Sequence, residues 1–280
     1  MIVAGFLFAC MGVFVKLGSS QFSSAELVFY RSAIGLIVIY PIIKLRGFPL
    51  KTSKWQMHVG RGVSGFAALM LFFYSISLLP LATAVTLNYT SPLFLASFLT
   101  LILKERFQRA MVLTLILGFL GVALLLQPTL GKDQLLGGIM GLLSGVLSGF
   151  AYLNIKQLGA AGEPEWRVVF YFTLISTLGA GIWMLAHTFH RVTLENVWIL
   201  LGLGTCATLA QLALTRAYHT GKTLIVGNLA YSTVVFASLL GVIIWKEILH
   251  PVSWIGIALI IVSGIVSMRT SPRGESTKLV

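Results

Sequence analysis

The residues of this chain best suited to chemistry are polar side chains set inside long apolar runs. Thr86 and Tyr89 are three apart, so a helix would place them on one face, and Asn228 and Tyr231 repeat that spacing. Each pair opens a similar stretch: Leu87-Asn88-Tyr89-Thr90-Ser91-Pro92-Leu93-Phe94 and Leu229-Ala230-Tyr231-Ser232-Thr233-Val234-Val235-Phe236. A hydrogen-bonding side chain is costly in hydrocarbon and normally faces the interior of a helix bundle. Aromatic walls bearing a few polar groups typify sites for small molecules. The two tyrosines are therefore read as lining a cavity; the alternative is that these groups only hydrogen-bond between helices. Pro92 removes one backbone donor and frees a carbonyl for water or a solute. Gln211 sits at mid-depth of another apolar run, with Arg216 beyond it, open to either a gating or a charge-sorting role. Arg31 lies well inside a run, where it would snorkel outward or pair with Glu26.

Other chemistries find little support. Gly60-Arg61-Gly62-Val63-Ser64-Gly65 matches the dinucleotide fingerprint in form, but a basic loop precedes it where the fingerprint needs a strand. No nucleophile-elbow, zinc-protease or P-loop pattern is present. Cys10 and Cys206 each stand alone in apolar surroundings, and His187 and His190 fall near the end of a run, so neither a metal nor another cofactor is expected. No acid lies mid-run, so no buried carboxylate relay for protons is evident; Glu105 and Glu247 close two runs and are expected to pair with a base or cap a helix.

The elements that must hold these residues are membrane helices. With 57% hydrophobic and 10% charged residues, the chain has too little polar surface for a water-soluble globule. Ten apolar spans are predicted, at roughly 1–18, 25–43, 60–79, 82–103, 109–126, 135–156, 168–187, 196–217, 223–245 and 251–268, each able to cross a hydrocarbon core of roughly 30 Å. Span four ends in Lys104-Glu105 and span nine in Lys246-Glu247; Phe29-Tyr30 answers Phe170-Tyr171, and Lys16 answers Lys156. The chain is thus two five-span copies, 1–127 and 135–268, followed by a short basic tail, 269–280. An odd number of spans per copy makes the second enter from the opposite side, an inverted repeat.

The net charge of +12 then sorts by loop and does not mark a nucleic-acid binder. With the N-terminus inside, the inner connections hold most of the 20 basic residues, among them Lys44, Arg46, Lys51, Lys54 and Arg61, whereas the outer ones hold Lys132, Arg191 and Lys246. Both termini are predicted to be cytoplasmic. Gly137, Gly141, Gly145 and Gly149 step along one face of span six, for tight packing or, alternatively, for sliding.

The chain resembles the drug/metabolite transporter superfamily, in its ten-helix branch with two EamA repeats. Phe29-Tyr30-Arg31, the stretch from Pro80 through Tyr89-Thr90-Ser91-Pro92 to Glu105, the run from Ala210 to Tyr218, and Tyr231 through Glu247 carry that likeness along nearly the whole chain. The resemblance implies an all-α integral membrane protein of the bacterial inner membrane that moves a small metabolite through a central cavity. Carried onto this sequence, it places Tyr74, Asn88, Tyr89, Tyr152, Gln211, Asn228 and Tyr231 at that cavity. Phe172 stands opposite Arg31 in the repeat, so the arginine has no twin. A secondary transporter of an amino acid, nucleoside-like compound or similar polar solute follows, an exporter or exchanger whose partners are that solute and lipid, with a homodimer also allowed. An integral-membrane enzyme would need clustered His, Asp or nucleophiles, and a channel would need a continuous polar lining.

Overall fold

A computed structural model describes residues 1–79, 81–105, 109–127, 134–185, 189–246 and 248–270. Pro80, Lys132, His187, Glu247 and residues 271–280 of the tail, named above, lie outside them. The described residues form an all-helical bundle of α1 (Ile2–Gly18), α2 (Ser24–Leu45), α3 (Trp55–Leu78), α4 (Leu81–Asn88), α5 (Ser91–Leu101), α6 (Arg109–Leu126), α7 (Leu135–Ala160), α8 (Glu165–Leu185), α9 (Val197–Thr220), α10 (Thr223–Ala230), α11 (Ser232–Trp245) and α12 (Pro251–Thr270). Nine helical stretches among them are long and apolar enough to cross a membrane, and α1 is a shorter apolar helix. Large apolar side chains such as Leu45, Leu101, Ile182, Leu185 and Ile243 cover the perimeter, as expected where hydrocarbon rather than water is the solvent.

Two predicted spans differ from the expectation of unbroken helices. Span four is divided at Tyr89-Thr90 into α4 and α5, and span nine at Tyr231 into α10 and α11. Pro92 cannot be the whole reason, because the second break has no proline. Both breaks share a hydroxyl that turns back on its own chain: Thr90 Oγ1 donates to the Leu87 carbonyl at 2.5 Å and Ser232 Oγ to the Leu229 carbonyl at 2.7 Å. Such back-bonding competes with the helical ladder and bends it. The closing Lys residues also match, Lys104 and Lys246 both adopting a left-handed backbone, with φ of 53° and 55°.

Helix partners cross between the two halves of the chain. The first helix of one half, α1, packs on α9 and α11; α7, which opens the other half, packs on α3, α4 and α5. Glycines permit this closeness. A Cβ on Gly145 would lie 2.8 Å from the Leu87 carbonyl, and one on Gly149 would lie 2.8 Å from the Ser91 carbonyl, so α7 rides directly against the broken span. Gly5 of α1 does the same to Ser232 and Thr233 of α11. The stripe on α7 is thus a packing surface.

Polar clusters fasten the bundle at its ends. Glu163, in the turn between α7 and α8, accepts from Thr52, from Arg167 Nη1 at 2.7 Å and bonds His58 Nε2 at 2.9 Å, while Arg167 also reaches the Pro49 carbonyl. Burial alone would raise the Glu163 pKa, yet the hydrogen bonds from Thr52, Arg167 and His58 hold it down at about 2. Elsewhere, Glu26 completes a capping box with Ser23 and also accepts from the His190 backbone at 2.6 Å and bonds its ring at 2.8 Å. Glu105 pairs with Lys156, as expected of a span-closing acid.

Candidate substrate site

The broken spans bring their tyrosines together. Tyr89 and Tyr231 are neighbours with ring centroids 6.4 Å apart and planes tilted by 46°, and beside them Tyr152 of α7 stacks on Tyr218 of α9 at 5.1 Å and 18°. Tyr231 and Tyr218 are almost fully buried. The Tyr89 hydroxyl lies near Thr233 and the Tyr152 hydroxyl near Ser91, so each tyrosine reaches across to the other half of the chain. The Tyr218 and Tyr231 hydroxyls have no hydrogen-bond partner among the described residues.

A cationic wall adjoins this aromatic group. Arg31 of α2 is 6% exposed and Arg61 of α3 is 3% exposed. The two lie within electrostatic reach of each other and of Tyr152. The Arg61 guanidinium stands 4.3 Å over the Phe172 ring, a cation–π contact. A small pocket between α2, α8 and α9 is lined by Arg31, Phe172, Thr208 and Gln211 among others. The arrangement offers positive charge, aromatic faces and unpaired hydroxyls at one place between the halves. It contains no nucleophile–base pair, and no cluster of three or more His, Cys, Asp or Glu among the described residues is placed to hold a metal.

Several expectations from sequence are corrected here. Arg61 is not a loop charge: α3 begins at Trp55, five residues before the predicted span, because the polar first turn after Lys54 is itself helical, and Arg61 therefore falls inside the bundle. The glycines of its pseudo-fingerprint serve packing. Gly62 meets Ile175, and a Cβ on Gly65 would collide with the Arg61 guanidinium and the Phe172 ring. Arg31 neither snorkels nor pairs with Glu26, whose carboxylate is held by Ser23 and His190. Phe172, seen only as the residue replacing an arginine, supplies the ring beneath Arg61.

The predicted site residues divide accordingly. Tyr89, Tyr152, Gln211 and Tyr231 gather at or beside the centre. Asn228 instead bonds the Ser263 backbone and side chain of α12, and Asn88 donates to Ser144 of α7 at 3.1 Å, so both asparagines fasten helices together. Tyr74 is half exposed and Arg216 is exposed, both outside the buried group. Tyr218 and Arg61, which are not among the residues expected at the cavity, stand beside this group. Tyr218 was findable, since it lies two helical turns beyond Gln211 on the same face of α9.

The profile of the EamA-like transporter family matches residues 1–127 and again 135–269. The chain belongs to the EamA-like transporter family. Within this family setting, it is 34% identical over 269 residues to the pseudopaline exporter CntI of Pseudomonas aeruginosa, spanning 96% of this chain and 94% of that one. A riboflavin transporter of Vibrio cholerae is 25% identical over 94% of this chain and 89% of its own length, and an S-adenosylmethionine uptake transporter of Rickettsia bellii is 23% identical over 95% and 91%. A solved crystal structure superposes with a TM-score of 0.84 at 19% identity, covering 95% of both chains, which establishes the shared fold. This EamA-like protein is a multi-pass membrane transporter of small molecules.

Proposed function

We propose that the chain is a secondary transporter of the bacterial inner membrane that exports or exchanges a small polar metabolite by alternating access. Its halves, 1–127 and 135–268, act as inverted repeats, with both termini and the 269–280 tail in the cytoplasm. The observation that carries this reading is the pair of broken spans: Tyr89 and Tyr231 occupy matching breaks and come together as neighbouring, tilted rings, each break packed against the small-residue face of a helix from the other half. Interrupted helices at a repeat interface are a recurring way to build a midplane site that two rocking halves expose in turn. The exchange of partners between α1 and α7 supports the repeat. Export is favoured over uptake by the similarity to an exporter over nearly the whole chain. The aromatic and cationic lining, without a catalytic constellation, argues against an enzyme.

The substrate site comprises Tyr89, Tyr152, Gln211 and Tyr231, joined by Tyr218, Arg31 and Arg61. Tyr74, Asn88, Asn228 and Arg216 act at a distance, by packing or at the surface. The test is counterflow in proteoliposomes with a panel of radiolabelled amino acids, nucleosides and organic acids, comparing wild type with Tyr89→Ala and Tyr231→Ala. Movement of a solute by the wild type and its loss in both variants is expected. Equal transport by all three would remove the site assignment.

A further inference from the structure

Arg31 and Arg61 present an electrostatic deficit that the protein itself does not cancel. Among the described residues, no carboxylate forms an ion pair with either guanidinium, because the acids that make ion pairs are engaged elsewhere: Glu26 by His190, Glu163 by His58 and Arg167, Glu105 by Lys156. Nε and Nη1 of Arg61 are buried without a hydrogen-bond partner among the described residues. Phe172 compensates in part, but a cation–π contact is a weak substitute for a counter-ion. Isolating a charge in a low-dielectric interior costs far more than such a contact returns. Repulsion between the two arginines adds to that cost, and the neighbouring tyrosines, neutral as phenols, cannot supply a counter-charge.

A buried charge that persists unpaired in hydrocarbon marks a functional position. We propose that the counter-charge arrives with the solute: the transported molecule bears at least one oxyanion group, carboxylate or phosphate, held by Arg31 and Arg61 while its remainder lies against the tyrosines. Charge-assisted hydrogen bonds from guanidinium N–H groups to an oxyanion are strong, and Nε and Nη1 of Arg61, on different edges of the group, are buried donors without a partner among the described residues. A purely cationic solute, which aromatic faces alone would welcome, is repelled by the same field. This inference rests on the transporter reading and gives its substrate a charge.

The test uses the full chain in lipid nanodiscs as wild type, Arg31→Gln, Arg61→Gln and Arg61→Lys, with citrate, glycerol 3-phosphate and choline as probes. Without any probe, both glutamine variants should melt no lower than wild type, since each loses an unpaired buried charge; a drop of several degrees would show the arginines to be structural and overturn the proposal. With probes, citrate or glycerol 3-phosphate should raise the wild-type midpoint, the two arms separating carboxylate from phosphate. That response should vanish in the glutamine variants and survive, weakened, in Arg61→Lys. Uptake of the stabilising probe into proteoliposomes should fall by more than about tenfold in Arg61→Gln. Stabilisation by choline alone, or a neutral solute carried equally by wild type and glutamine variants, would overturn the oxyanion assignment while leaving transport intact. Oxyanion stabilisation that depends on both arginines, with no uptake of the stabilising probe by wild type, would keep the site and remove the transport reading.

Discussion

Gly65 and Arg61 form one device: the absent side chain of the first leaves room for the guanidinium of the second above Phe172. Gly65→Ala should therefore displace Arg61 and reduce oxyanion transport at least as much as Arg61→Lys does, measured by the same uptake assay. Tyr218 offers a cleaner separation of structure from function. Its hydroxyl makes no hydrogen bond among the described residues while its ring stacks on Tyr152. Tyr218→Phe should keep stability within about 1 kcal/mol, because an unpaired buried hydroxyl contributes nothing that phenyl lacks. Transport should nevertheless fall if that hydroxyl serves the solute, so thermal unfolding and uptake measured together decide the role. At this scale the sequence was only partly legible. Tyr89 and Tyr231 stand out by recurring in both halves, whereas Asn88 and Asn228 hydrogen-bond neighbouring helices, since a polar residue within a span can satisfy itself on either a solute or a neighbour. Arg61 was hidden by following closely on the basic segment that ends at Lys54.

Among the elements, the decisive feature is a span in two pieces, and a hydroxyl rather than proline is common to both breaks. Ser232→Ala should let α10 and α11 approach continuity, slowing hydrogen exchange of the amides just after Tyr231 and lowering the transport rate; unchanged exchange would separate the hydroxyl from the break. The glycine face of α7 makes a different demand. Gly145→Ala would drive a methyl toward the Leu87 carbonyl and should cost roughly 1–3 kcal/mol, as overpacking does. Gly12→Ala, with nothing within 4 Å of the added carbon, should be neutral or stabilising in the same melting experiment. Hydropathy made span existence and approximate ends readable, because every span needs a long apolar run. The interruptions were not readable in that way: a window average cannot register one hydroxyl turning back on its own helix, and only Pro92 gave a hint, in one half.

For the whole molecule, the proposed arrangement predicts that single cysteines replacing exposed Lys51 and Arg191, in a background lacking Cys10 and Cys206, react with an impermeant thiol reagent from opposite sides of the membrane. Reaction from one side would dismantle the inverted repeat. The Glu163 cluster joins the segment after α2 to the turn before α8, and so ties the halves together. Its carboxyl pKa is about 2, below the usual carboxylate value, so the stability it contributes is fully present above about pH 4.5 and is lost as pH falls toward 2. Wild type should consequently lose up to roughly 3 kcal/mol over that window. Glu163→Gln, less stable near neutrality, should show a flatter profile in pH-dependent unfolding.

The partner of Arg61 also bears on how the molecule is made. Arg61 belongs to a helix that leaves the ribosome early, and the ring that shields it, Phe172, belongs to one that follows much later. Until α8 arrives, α3 must wait in the bilayer with its charge bare, alongside α2 carrying Arg31. The N-terminal portion synthesised by itself should accordingly be a poor membrane citizen, prey to quality-control proteases, and rescued when the C-terminal portion is supplied beside it.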